Sequence, residues 1–139
     1  MTNLLAYAAP LGRVLLSVMF ITSGFQKLTG YAGTQGYMEM MGVPGALLPL
    51  VILVELVGGL ALLVGWQARL SAFLLAGFSL VSGFLFHYLP SLGMEGMEAQ
   101  MQMISFMKNV TIAGGMLMVV AFGAGAVSLE KRGTSAPAE

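Results

Sequence analysis

Cysteine is absent from the 139 residues, which excludes disulfides, thiolate metal sites and thiol redox chemistry within the chain. Charge is scarce: Asp, Glu, Lys and Arg supply 9% of the residues, against roughly 25% in a soluble domain. Six bases balance six acids and form no basic stripe, so nucleic-acid binding has no support. There is no Gly-rich phosphate loop, no nucleophile–base pair and no His/Asp metal motif, which leaves stand-alone hydrolysis and a metal site without visible apparatus. The chain has instead 58% hydrophobic residues and a mean hydropathy of +0.88. That balance places it in a bilayer.

The first ten residues, MTNLLAYAAP, lack the cationic start of a signal peptide, and no small-residue cleavage site comes after them, so the first span is expected to be retained. The apolar runs predict an all-α integral membrane protein, a four-transmembrane-helix bundle with short interfacial helices in the outer loops. One domain, residues 1–130, carries spans at about 10–28, 47–65, 70–89 and 105–128. A polar tail, 131–139, is expected to be disordered and cytoplasmic. Residues 34–41 suit a short interfacial helix ending at Gly42, with Tyr31 and Tyr37 at headgroup level. Met94, Met97, Met101 and Ile104 fall on one helical side, with Glu95, Glu98 and Gln102 on another. This pattern predicts a separate amphipathic helix lying at the surface.

The second span organises the rest because it carries Glu55 at its centre. A carboxylate at mid-membrane costs about 2.5–3.5 kcal/mol on insertion scales, so it faces the bundle and seeks a partner. Gly58 and Gly59 come one turn later and allow a neighbouring helix to approach closely. On the first span, Arg13, Ser17, Phe20, Gly24 and Lys27 share one face, which reads as a packing stripe. On the third, Arg69, Phe73, Ala76, Leu80, Gly83 and His87 share another.

Basic residues set the orientation. Arg13, Arg69, Lys131 and Arg132 fall on one side, and Lys27 and Lys108 on the other beside Glu39, Glu95 and Glu98. Both termini are therefore expected in the cytoplasm. On this topology Lys27, His87 and Lys108 lie near the outer surface, with Glu55 ~12 Å below it. Contact of Glu55 with Lys27 or Lys108 is feasible; Arg13 comes from the far side. A candidate intramembrane polar pocket thus comprises Glu55, Lys27, His87, Lys108, Asn109, Gln26 and Arg13. It suits an anionic or quinone-like ligand and proton transfer. The plainer alternative is a buried ion pair that fixes helix register, with His87 merely interfacial. Twelve methionines, eight in or beside the outer loops, raise the question of a Cu(I) site. Their helical spacing fits flexible apolar residues at an interface, and no metal is expected.

Taken together, Arg13 with Phe20-Ile-Thr-Ser-Gly-Phe-Gln-Lys-Leu28, Tyr31-Ala-Gly, Gly42-Val-Pro44, Glu55-Leu-Val-Gly-Gly59 with Gly65, Phe86-His87 and Lys108-Asn109 resemble the DoxX family. The likeness covers nearly all of residues 10–130 and is strongest to small inner-membrane members. It implies a multi-pass protein of the bacterial cytoplasmic membrane. Founding members are a subunit of a thiosulfate:quinone oxidoreductase, and others are linked to thiol, oxidative or quinone stress. The resemblance therefore implies a membrane component of a quinone-linked redox or stress system, an accessory subunit rather than an enzyme alone. Quinone is the implied cofactor, with none bound covalently. Besides the lipid bilayer, a membrane or peripheral oxidoreductase is the implied partner, and an oligomer is compatible with it. Two other readings stay open: a permease for small aromatic or anionic compounds, and a structural or assembly subunit.

Overall fold

A computed structural model describes residues 2–130; the tail at 131–139, expected to be disordered, lies outside the described residues. The described chain is built of helices and short connections. Its elements are α1 (Thr2–Thr29), α2 (Tyr31–Met40), a 3-10 turn (Gly45–Leu47) leading into α3 (Leu48–Val64), α4 (Ala68–Gly83), a π-helical turn (Phe84–Tyr88), α5 (Leu89–Ser91) and α6 (Gly96–Phe122). Four stretches are long and apolar enough to cross a membrane: Asn3–Thr29, Gly45–Val64, Ala68–Ser91 and Gly96–Phe122. At ~1.5 Å per residue each reaches or exceeds a ~30 Å hydrocarbon core.

Two boundaries differ from the sequence expectation. The first helix starts eight residues before residue 10, because nothing in Asn3–Ala9 breaks it and Pro10 is tolerated inside it. More consequentially, the Met-rich segment is not a separate surface helix. It forms the first turns of one continuous helix that runs from Gly96 and stops at Phe122, not at 128. The stretch from Gly96 to Phe122 contains no proline, so nothing divides it. Gly123, at φ +81°, closes it. The helix expected between the first two spans, at Tyr31–Met40, stands as a separate element.

α1 lies along α3, α4 lies along α6, and α3 joins the two pairs; α1 meets α6 only locally. The principal core is built of Phe20, Leu62, Leu75, Met116 and a run of alanines, Ala68, Ala72, Ala76, Ala113 and Ala124. In lipid, association depends on close backbone approach more than on hydrophobic burial, which explains the small residues. Gly24 shows the principle. A Cβ there would lie 2.8 Å from Leu56 Cγ, so only glycine lets α1 close on α3 beside Glu55. A second cluster, Met38, Leu48 and Ile52, seats α2 on the N-terminal end of α3.

The face predicted for α1 is buried: Arg13, Ser17 and Phe20 are sealed and Gly24 is covered. The face predicted for the third span is rotated. Phe73 and Leu80 point outward, whereas Ala68, Ser71, Ala72, Leu75, Ala76, Ser79 and Gly83 are buried. The alanines, which carry the close contact with α6, set that rotation rather than Arg69. Arg69 instead reaches along the surface and donates from Nη1 to Val120 O at 3.1 Å and Ala121 O at 3.2 Å, satisfying the last carbonyls of α6.

Candidate functional site

The α1–α3 contact permitted by Gly24 brings Lys27 to Glu55. Lys27 Nζ lies 2.8 Å from Glu55 Oε1 and donates to Ser23 Oγ at 2.6 Å. Glu55 is 1% exposed and Lys27 27%. The ammonium approaches Oε1 off its hydrogen-bonding directions, so charge rather than a directed bond holds the pair. Oε1 therefore keeps an unused acceptor site in a place where unused sites are costly.

The pair forms part of the wall of a cavity of about 350 Å³. Polar groups converge on it from every major element: Ser23 and Lys27 of α1, Thr34 and Tyr37 of α2, Glu55 of α3, Ser79 and Ser82 of α4, His87 of the π turn and Asn109 of α6. Phe20, Phe78 and Phe86 supply apolar wall. Tyr37 stacks on Phe86 with centroids 5.7 Å apart, tying α2 to the π turn. Asn109 Nδ2 donates to Ser82 Oγ at 3.5 Å, and Gly83 gives Asn109 its room.

His87 owes its position to the widened turn. Leu89 N–H bonds to Phe84 O, five residues back, and Pro90, which has no N–H, comes immediately after. One extra residue in a turn rotates the two flanking stretches of helix by about 100° relative to each other. His87 Nδ1 lies 2.7 Å from Gln102 Oε1 on α6. With that oxygen accepting, Nδ1 carries the hydrogen, and a neutral ring presents Nε2 as its lone-pair nitrogen.

Of the seven residues in the sequence-derived pocket, the structure brings four together: Glu55, Lys27, His87 and Asn109. Lys108 does not join them. It is exposed on another side of α6, lining a separate surface groove with Gln100, Met103, Ile104 and Met107. Adjacent residues on a helix point about 100° apart, so a rotation that turns Asn109 inward turns Lys108 out. Gln26 is likewise exposed. Arg13 is buried, 4% exposed, at the far end of the bundle.

There Arg13 serves a different structure. Nη1 donates to Ala124 O, and Nη2 to Val127 O at 2.6 Å and Leu63 O at 3.3 Å. The chain after α6 thus becomes a strap across the α3–α4 turn. Leu129 N–H bonds Val64 O at 3.0 Å, Glu130 N–H bonds Gly65 O at 3.2 Å, and Glu130 Oε1 accepts from Ala68 N–H at 2.9 Å at the start of α4. Gly65 is required twice here. Its φ is +72°, and a Cβ would lie 2.4 Å from Ser128 Cβ.

Sequence reasoning passed over Ser23, Ser79, Ser82, Thr34, Tyr37 and Gln102. The serines carried a readable signal, since Ser71, Ser79 and Ser82 share one side of α4. Gln102 carried none, because its inward turn depends on the unbroken α6. Among the described residues, no three His, Cys, Asp or Glu side chains cluster as a metal site would require.

Residues 8–88 match the family model for DoxX. The chain is 52% identical over 119 residues to inner membrane protein YqjF of Escherichia coli (strain K12), covering 86% of each chain. It is 33% identical over 124 residues to inner membrane protein YphA of the same organism, covering 88% of this chain and 87% of the relative. No solved structure matches the chain.

Proposed function

The chain belongs to the DoxX family, and from that premise we propose that it is the membrane component of a quinone-linked redox or oxidative/thiol-stress system, binding a quinone head group in the outer chamber. One observation carries this reading: Glu55 and Lys27 lie on the wall of a cavity and do not close it.

The residues present fit a quinone ring. The cavity is of ligand size and combines apolar walls with a few convergent polar groups. Lys27, whose ammonium keeps N–H groups beyond the one given to Ser23, and Asn109 are donors for ring carbonyls. His87, held by Gln102, presents a proton acceptor for a ring hydroxyl. Glu55 balances the ammonium charge and keeps Lys27 upright in the chamber. The bound quinone would supply the electron-carrying chemistry, which cysteine-free side chains do not offer. The protein binds and orients, and a partner oxidoreductase delivers the electrons. The orientation set by the basic residues puts both termini in the cytoplasm of a bacterial cell and the chamber toward the outer face.

Two experiments test this. The double variant Glu55→Gln, Lys27→Met keeps the packing without buried charge. It should remain folded while membranes carrying it lose the quinone-reduction activity attributable to the parent. Full activity in a stable double variant rejects the chamber as the site, and altered solute uptake with unchanged quinone reduction points to a carrier. For orientation, an impermeant maleimide on intact cells should label Glu98→Cys and spare Gln67→Cys. The reverse pattern inverts the topology.

A further inference from the structure

The chamber adjoins a second cavity. Met19 lines both it and a groove of about 650 Å³ between α1 and α6, the one pair of neighbouring spans that touch only locally. Apart from Arg13 toward its lower end, the groove wall is hydrocarbon, from Leu15, Leu16, Met19, Ile112, Gly115 and Met118. It runs down α1 from Met19 to Ala9, ten residues or ~15 Å. That is half of a ~30 Å hydrocarbon core, the depth that one lipid chain occupies.

We propose that this groove holds the apolar chain of a membrane-dissolved amphiphile whose polar head lies in the outer chamber. The ligand class is therefore a long-chain lipid with a hydrogen-bonding head, entering sideways from the bilayer, and not a water-soluble solute. The inference rests on the chamber as a head-group site and adds the chain. Beyond Met19, at the groove's upper end, the chamber offers Ser23, Lys27 and Asn109 to the head. A molecule filling both spaces places hydrocarbon against hydrocarbon and acceptors against donors in one binding mode. Met19, partly exposed and unbranched, sits at the junction, where a flexible thioether swings aside at little cost.

The test uses the full chain in lipid nanodiscs and two benzoquinones with the same ring, one without a side chain and one with a decyl chain. Binding is referred to the concentration in the lipid. Gly115→Leu and Met118→Trp each fill the groove. Met118 is more than half exposed, so its variant retains the fold if Gly115→Leu, whose Cβ lies 3.3 Å from Leu16, does not. The parent should bind the decyl compound about tenfold or more tighter, and each filled variant should lose that advantage while binding the bare ring as before. Unchanged affinity of the filled variants for the decyl compound overturns the inference. So does equal binding of the two compounds by the parent, which leaves the chamber reading standing. Binding of neither compound removes both. Efficient cross-linking between two copies through Met118→Cys would assign the groove to a second chain and overturn the proposal.

Discussion

Two charged side chains are withdrawn from water at opposite ends of this bundle, and they are treated differently. Arg13 gives its guanidinium to three backbone carbonyls, those of Leu63, Ala124 and Val127, where α1, the α3–α4 turn and the strap meet, and only its Nε lacks a partner. Glu55 receives a single ammonium at 2.8 Å, off the hydrogen-bonding direction, on the wall of a cavity lined by five other elements or turns. A buried charge held by three fixed backbone dipoles is a structural rivet. One held by a single ammonium that is itself 27% exposed ties that end of the bundle to a cavity wall instead of to the backbone. Helix α1 carries both Arg13 and Lys27, the partner of Glu55, so the distance between these two residues separates an architectural end from a cavity-facing end.

Substitutions sharpen this contrast. The largest loss should come from Arg13→Met, which leaves three carbonyls without their donor. Hydrogen bonds to a charged group contribute about 1.5–3 kcal/mol each, and the strap's carbonyls regain water once released, so the net loss should be about 3 kcal/mol. Detergent melting should show it, together with new protease cleavage at 123–130. An unchanged melting temperature would remove the distinction between the two ends.

Glu55→Gln should be milder, about 1–2 kcal/mol. The orphaned Lys27 is 27% exposed and retains Ser23, unlike the fully buried partners whose loss costs about 3–5 kcal/mol. Adding Lys27→Met should restore the melting temperature, whereas no second-site neutralisation should rescue Arg13→Met. A Glu55→Gln variant less stable than Arg13→Met would reverse the assignment of roles.

Smaller still is Glu130→Ala, which removes the acceptor for Ala68 N–H and a negative charge from the α4 N-terminus. It should cost about 1 kcal/mol in the same melting assay, without affecting ligand binding. The smallest effect is assigned to Lys108→Ala, on the exposed side of α6. Its stability should stay within about 0.5 kcal/mol of the parent. A loss of ligand binding in this variant would bring Lys108 back to the site from which the structure excludes it.

The sequence by itself determined the four apolar spans, the burial of the Arg13–Phe20–Gly24 face and the inward turn of Glu55. Each of these obeys a local rule: backbone polar groups must be satisfied within a helix in lipid, and a mid-span charge cannot face hydrocarbon. The tertiary structure alone decided which cation Glu55 meets, which side of α6 faces the bundle and what Arg13 holds. Asn109 points inward and Lys108 outward because small residues such as Ala113 set the rotation of α6 against α4, and hydropathy is nearly equal around such a helix. Gln102 reaches His87 only because α6 continues unbroken through the Met-rich stretch and the turn before Pro90 is widened. The strap's grip on Arg13 spans 111 positions to Ala124. Apolar patterning fixes where a helix crosses the membrane. Its rotation and its polar partners depend on side chains that meet only after the helices have packed.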